Sequence, residues 1–115
     1  MGIHLKRSYD PPAAADGTRI LVDRLWPRGL AKATAGIDLW LKDIAPTTAL
    51  RQWFNHDPAK WPEFEERYRA ELAGHPALDD LRRRARQGPI TLVYASRDQD
   101  HNQAVVLKRL IDSAP

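Results

Sequence analysis

Residues 88–111 read GPITLVYASRDQDHNQAVVLKRLI, and the reading of this stretch decides the fold. Ile90, Thr91, Leu92, Val93, Tyr94 and Ala95 make a short run rich in β-branched and aromatic side chains, punctuated upstream by Gly88 and Pro89, which predicts a strand. The run is apolar at consecutive rather than alternate positions. Both faces are therefore expected to be covered, as at the centre of a parallel or mixed sheet with helices on each side. Ser96, Arg97, Asp98, Gln99 and Asp100 then break the pattern, and Ala104, Leu107 and Ile111 recur at helical spacing, with Val105, Val106 and Leu110 widening the stripe. Asp100 followed three residues later by Gln103 fits a capping box, with Ser96 and Asp98 as alternative caps.

A strand that feeds a helix through a polar loop turns unpaired N–H groups and the positive end of the helix dipole toward the carboxyl edge of the sheet, where anions are favoured. Ligands of open α/β sheets bind at that edge, near a switch in strand order. His101 is expected in the first helical turn, where the dipole disfavours imidazolium and leaves a neutral ring able to exchange a proton near pH 7. A plainer reading has Asp98, Asp100 and His101 serving only as helix caps.

Working outward, Ile3 to Arg7 alternate apolar and polar residues and predict an edge strand. The segment 8–17 holds Pro11, Pro12 and an Asp16-Gly17 turn signal, and residues 18–23, TRILVD, predict a second strand close to the first. A ten-residue connection suits a hairpin and is near the lower limit for a parallel crossover, so the orientation of this pair is left open. Pro27 and Gly29 end the second strand in a turn that carries Asp23, Arg24 and Arg28. The two arginines offer fork-shaped donors for a carboxylate or phosphate, or else hold Asp23 in a structural ion pair.

Residues 31–36 predict a surface loop, and Ile37, Leu39 and Leu41 alternate with Asp38, Trp40 and Lys42 in a short extended piece. Pro46 and Thr47 open a helix that carries Leu50, Trp53 and Phe54 inward and stops at Asn55. Asp57 before Pro58 is a start signal for the next helix, whose face Trp61, Phe64, Tyr68 and Leu72 is core, with Glu63–Arg67 and Glu65–Arg69 pairs outside. Gly74 ends it, and Pro76 opens another with Leu78, Leu81 and Ala85 inward. Arg82, Arg83, Arg84 and Arg86 lie on its other sides, as a solvated helix end that complements the dipole or as a nucleic-acid patch.

At 115 residues the chain suits one domain, 1–115, with a core of two or three layers. Hydrophobic residues make up 43% and charged residues 29%, which excludes a disordered tail. There is no Cys, so disulfides, thiolate nucleophiles and Cys-ligated zinc are excluded. Neither a signal-peptide core nor a membrane-spanning stretch is present, which makes a cytoplasmic location the expectation. The net charge of +3 suits an anionic small molecule or a weak nucleic-acid contact. His4, His56, His75 and His101 share no metal-ligand spacing, so neither a metal nor a cofactor is expected, and the oligomeric state is left open.

Taken together, KRSYDPP, DGTRILVDRLWPRG, DLWLKDIAP, WFNHDPAKWPEFEERY, GPITLVYASRD and DHNQAVVL resemble, in collinear order over nearly the whole chain, the YeaO-like family of small bacterial proteins. The resemblance implies a compact α/β domain with a small central sheet, and almost nothing about activity, the family's own being unknown. It also implies a wider superfamily with a cysteine near the third strand's end, whose thiol chemistry has no counterpart in a chain without cysteine. Residues matching the family's polar positions are Asp23, Arg24, Arg28, Asn55, His56, Asp57, His101 and Asn102.

The expected fold is α/β, a small central mixed or parallel sheet of three or more strands flanked by helices. The expected function is binding of a phosphate- or carboxylate-bearing ligand at the carboxyl edge by Arg24, Arg28, Arg97 and Asn102. If the site is catalytic, His101, Asp23 and His56 are the acid–base candidates for a hydrolysis, with Asp23 or Asp57 orienting the others. Ser96 is a nucleophile candidate outside any G-x-S-x-G elbow. The alternative is a non-catalytic regulatory or nucleic-acid-contacting module built on Arg82, Arg83 and Arg86.

Overall fold

The strand read from residues 90–95 is the centre of the sheet. The computed structural model describes residues 2–113, and all counts refer to these. Four parallel strands, β1 (Ile3–Arg7), β2 (Thr18–Leu21), β3 (Leu39–Trp40) and β4 (Ile90–Tyr94), lie in the order β1-β4-β2-β3. All five β4 residues are buried, as their consecutive apolar pattern requires.

The pairing expected between the first two strands does not form. β4 lies between them, with Ile3 and Thr18 both opposite Ile90. Ten residues reach about 30 Å when extended, enough to return along one strand and step across another. The link holds only one short 3₁₀ turn, Ala14–Asp16. It ends at Gly17, whose φ is +63°, and a Cβ there would stand 2.1 Å from the Pro89 carbonyl oxygen. Only glycine lets β2 enter this tightly beside β4.

Helices on both faces were expected, but the longer ones share one face. Ile20, Val22, Ile90, Leu92 and Tyr94 belong to a single hydrophobic cluster with residues from the four helices α2 (Thr48–Phe54), α3 (Trp61–Leu72), α4 (Pro76–Gln87) and α5 (Gln103–Asp112). The alternate set, Arg19, Leu21, Thr91 and Val93, is also buried and points the other way. Connections cover that second face. Arg19 donates to Asp16 at 2.7 Å and to the carbonyls of Ala35 and Gly36, next to the one-turn helix α1 (Lys32–Ala35) that replaces the loop expected over 31–36. Lys6, the Ala13 amide and Arg19 hold the Asp16 carboxyl down at about 2, the Lys6 hydrogen bond contributing most.

The helix signals of the sequence hold from α2 to α4. Thr47 caps α2 by accepting from Leu50 N, and Asn55 closes it in the left-handed region. Asp57 accepts from Ala59 N, and a 3₁₀ turn, Pro58–Lys60, runs into α3. Phe54 stacks on Phe64 with centroids 4.3 Å apart, and the fully buried Tyr68 donates its hydroxyl to the Ile44 carbonyl at 2.6 Å. Burying each of these aromatic side chains contributes on the order of 2 kcal/mol. The α5 cap is Asn102, not Asp100. Its Oδ1 accepts from Ala104 N and Val105 N, so the helix begins at Gln103 and His101 precedes it. Residues 96–101 make a tighter polar turn around Asp98 than a capping box allows.

Candidate functional site

The chain leaving β2 passes to α1 on one face of the sheet, and the chain leaving β4 passes to α5 on the other. A crevice opens between such diverging connections at the carboxyl edge. Here it is a cleft of about 680 Å³, bounded by residues 23–28, residues 95–103 and the facing sides of α2 and α3. Asp23, Arg24, Arg28, His56, Arg97, His101 and Asn102, all singled out in the sequence, line it together. Asp57 does not line it, and neither do Arg82, Arg83 and Arg86.

Four of the backbone donors expected to face an anion are already occupied. Asn102 takes two N–H groups of the first α5 turn, and Asp98 Oδ1 takes those of Asp100 and His101 at 2.9 and 3.0 Å. The remaining Asn102 amide group donates to the Asp98 carbonyl at 2.9 Å, so this side chain holds the loop. Positive charge in the cleft comes from arginines instead. Arg24 spends Nε and Nη2 on the Pro46 and Ala45 carbonyls, tying the start of α2 to the end of β2. Arg28, Arg51 and Arg97 are exposed and, among the described residues, have no acidic partner within 4.0 Å and no side-chain hydrogen bond.

Asp98, rather than Asp23 or Asp57, orients His101. Its Oδ2 accepts from His101 Nδ1 at 2.9 Å, which leaves Nε2 as the unengaged ring nitrogen, and the ring packs edge-on against Trp61 at 5.2 Å. The His101 hydrogen bond, joined by the Asp100 and His101 amides, holds the Asp98 carboxyl below its ordinary value. Ser96 Oγ accepts from Asp98 N at 3.2 Å and makes no hydrogen bond to His101, so no nucleophile–base pair is assembled. His56 reaches the cleft from a sharp turn in which Asn55 and His56 have φ of +48° and +55°. Two consecutive left-handed residues cost on the order of 1 kcal/mol each, and they are tolerated at the end of α2 where the chain must reverse into Asp57.

The ion pair considered for Asp23 is not formed. Its carboxylate accepts from Ala95 N at 2.9 Å and from the Gln103 side-chain amide, and burial raises its pKa to about 6 against these hydrogen bonds and the field of Arg51. On α4, Arg83 and Arg84 share Asp80 and Arg82 reaches Asp79 at 3.9 Å, so much of that run is paired along its own helix. No group of three or more His, Asp or Glu side chains able to hold a metal occurs among the described residues, and no helix there is long and apolar enough to cross a membrane.

A family model described as the inactive DUF488-N3 subclade matches residues 2–114. The chain belongs to this family. The uncharacterized protein YeaO of Escherichia coli strain K12 is 44% identical over 111 residues, spanning 93% of this chain and 94% of YeaO. Uncharacterized proteins Rv3073c of Mycobacterium tuberculosis and Mb3100c of Mycobacterium bovis are each 37% identical over 110 residues, spanning 96% of this chain and 93% of theirs. The YeaO-like resemblance read from the residues is borne out. No solved structure matches the chain.

Two cleft residues of this DUF488-N3 member escape the sequence reading. Arg51 lies three residues before Phe54, so both face the cleft from α2, a spacing visible in the sequence once that edge is identified. Gln103 reads as half of a capping box, whereas its amide bridges to Asp23 across the crevice.

Proposed function

We propose that the cleft binds an anionic small molecule, phosphate- or carboxylate-bearing, and holds it without turnover. One observation carries this reading: Arg28, Arg51 and Arg97 converge on a single cleft with no acidic partner among the described residues. Exposed guanidinium groups gathered in excess of the acids beside them repel one another, and a bound anion relieves that repulsion while accepting charge-assisted, fork-shaped hydrogen bonds. His101 Nε2, oriented by Asp98, adds one more polar contact. The family's description as an inactive subclade and the absence of a partnered base at Ser96 favour binding over hydrolysis.

The test is an NMR titration of labelled protein with inorganic phosphate, following the amides of residues 24–29, 51–56 and 97–103. Saturable shifts in all three groups, lost in an Arg28→Ala, Arg97→Ala double variant, are expected. A response confined to residues 82–87 on adding short single-stranded RNA, or none at all, would overturn the reading. Steady hydrolysis of p-nitrophenyl phosphate that disappears in His101→Gln would replace binding with catalysis.

A further inference from the structure

We infer that the ligand is a phosphate monoester carrying an apolar organic body. This deepens the anion-binding reading and rests on it. The charge of the cleft sets the head group. Arg24, Arg28, Arg51 and Arg97 stand against Asp23 and Asp98, so two positive charges remain uncompensated when both acids are ionised. A monoester dianion neutralises both, and a carboxylate neutralises only one. Phosphate also offers three terminal oxygens to guanidinium groups arriving from three separate segments, the loop after β2, α2 and the loop after β4.

The walls of the cleft set the rest of the molecule. A space of about 680 Å³ far exceeds what an inorganic anion fills, and it falls in the range of pockets for small organic ligands. Beside its charged and polar groups the lining carries an apolar set: Leu25, Trp26, Pro27, Pro46, Phe54 and Phe64. Leu25 is 64% exposed, which is costly to leave in water at the mouth of a charged cleft and favourable to cover with an apolar ligand. The Trp26 indole N–H is spent on the Leu30 carbonyl at 2.7 Å, so the loop that presents Leu25 is braced from within.

Calorimetric titrations with inorganic phosphate, glycerol phosphate, phenyl phosphate and benzoate at low ionic strength test this. Phenyl phosphate is expected to bind at least tenfold more tightly than inorganic phosphate, glycerol phosphate and benzoate. Leu25→Ser, at a side chain 64% exposed, is expected to narrow the ratio of phenyl phosphate to inorganic phosphate affinity several-fold. Equal affinity for all three phosphates would remove the apolar body, and benzoate binding as well as phenyl phosphate would remove the dianion; either result overturns the inference while leaving anion binding in place. No binding of any of the four overturns both.

Discussion

The Asp23 carboxylate accepts the Ala95 backbone N–H at 2.9 Å, joining the ends of β2 and β4 across 72 residues of sequence. The bond sits at the mouth of the crevice between the central strands, and the side-chain amide of Gln103 closes it from α5. An acid in this position braces the sheet edge and also sets its pH response.

Burial raises the folded-state pKa of Asp23 to about 6 from 3.8, so the folded chain keeps this proton where the unfolded chain has lost it. The contribution to stability is complete below pH 3.8 and is lost as pH rises through about 6, with a loss on the order of 3 kcal/mol. Asp23→Asn keeps an oxygen for Ala95 and cannot ionise. Thermal unfolding should show the variant several degrees more stable than wild type at pH 7.5, with the difference vanishing at pH 4.

Asp98 gathers two amides and one imidazole within a single turn. In Asp98→Ala the Asp100 and His101 amides should exchange with solvent at least tenfold faster, and the His101 ring should lose its fixed Nδ1–H tautomer in nitrogen-detected NMR. Asp98→Asn, which retains one accepting oxygen, should restore part of the amide protection. Unchanged exchange in the alanine variant would show that the turn is held by something other than this carboxylate.

Asn102 is 3% exposed, caps α5 with one amide atom and ties down the Asp98 carbonyl with the other. Replacement by Ala should cost about 2 kcal/mol, the upper end for an N-cap, because buried donors lose their partner with no water to replace it. The midpoint of urea unfolding measures this. Asn102→Asp preserves the cap and removes the donor, so it should fall between the two.

Gly17 and Gly74 both have positive φ, +63° and +73°, yet they should differ sharply on substitution. At Gly74 a Cβ meets nothing within 4 Å, and Ala should cost about 1 kcal/mol for the left-handed backbone alone. At Gly17 the Cβ would overlap the Pro89 carbonyl, forcing β2 away from the start of β4, and Ala should cost about 3 kcal/mol or more. Comparing the two variants by chemical unfolding separates backbone conformation from close approach.

Much of the architecture was legible because it is local. The β4 run, the helix start at Thr47 and its stop at Asn55, the Asp57 cap and the Glu63–Arg67 and Glu65–Arg69 pairs each depend on residues within one or two turns of each other. The helix N-cap was misread for the same kind of reason. Asp100, Asp98 and Asn102 are all competent caps, and the choice went to the one whose amide also reaches the Asp98 carbonyl.

By itself the sequence determined that this is an α/β chain built around a buried strand, and that its polar residues cluster after β2 and β4. Only the tertiary structure decided that β4 separates β1 from β2, because strand pairing is chosen by which neighbours cover β4 on both edges, and no ten-residue linker encodes that. It also decided which charges are free. Arg24 and Arg28 look alike in the chain, but one meets two carbonyls from the start of α2 and the other meets none. A side chain's partners come from segments distant in sequence, and in the folded chain three arginines without a partner among the described residues, Arg28, Arg51 and Arg97, line the cleft.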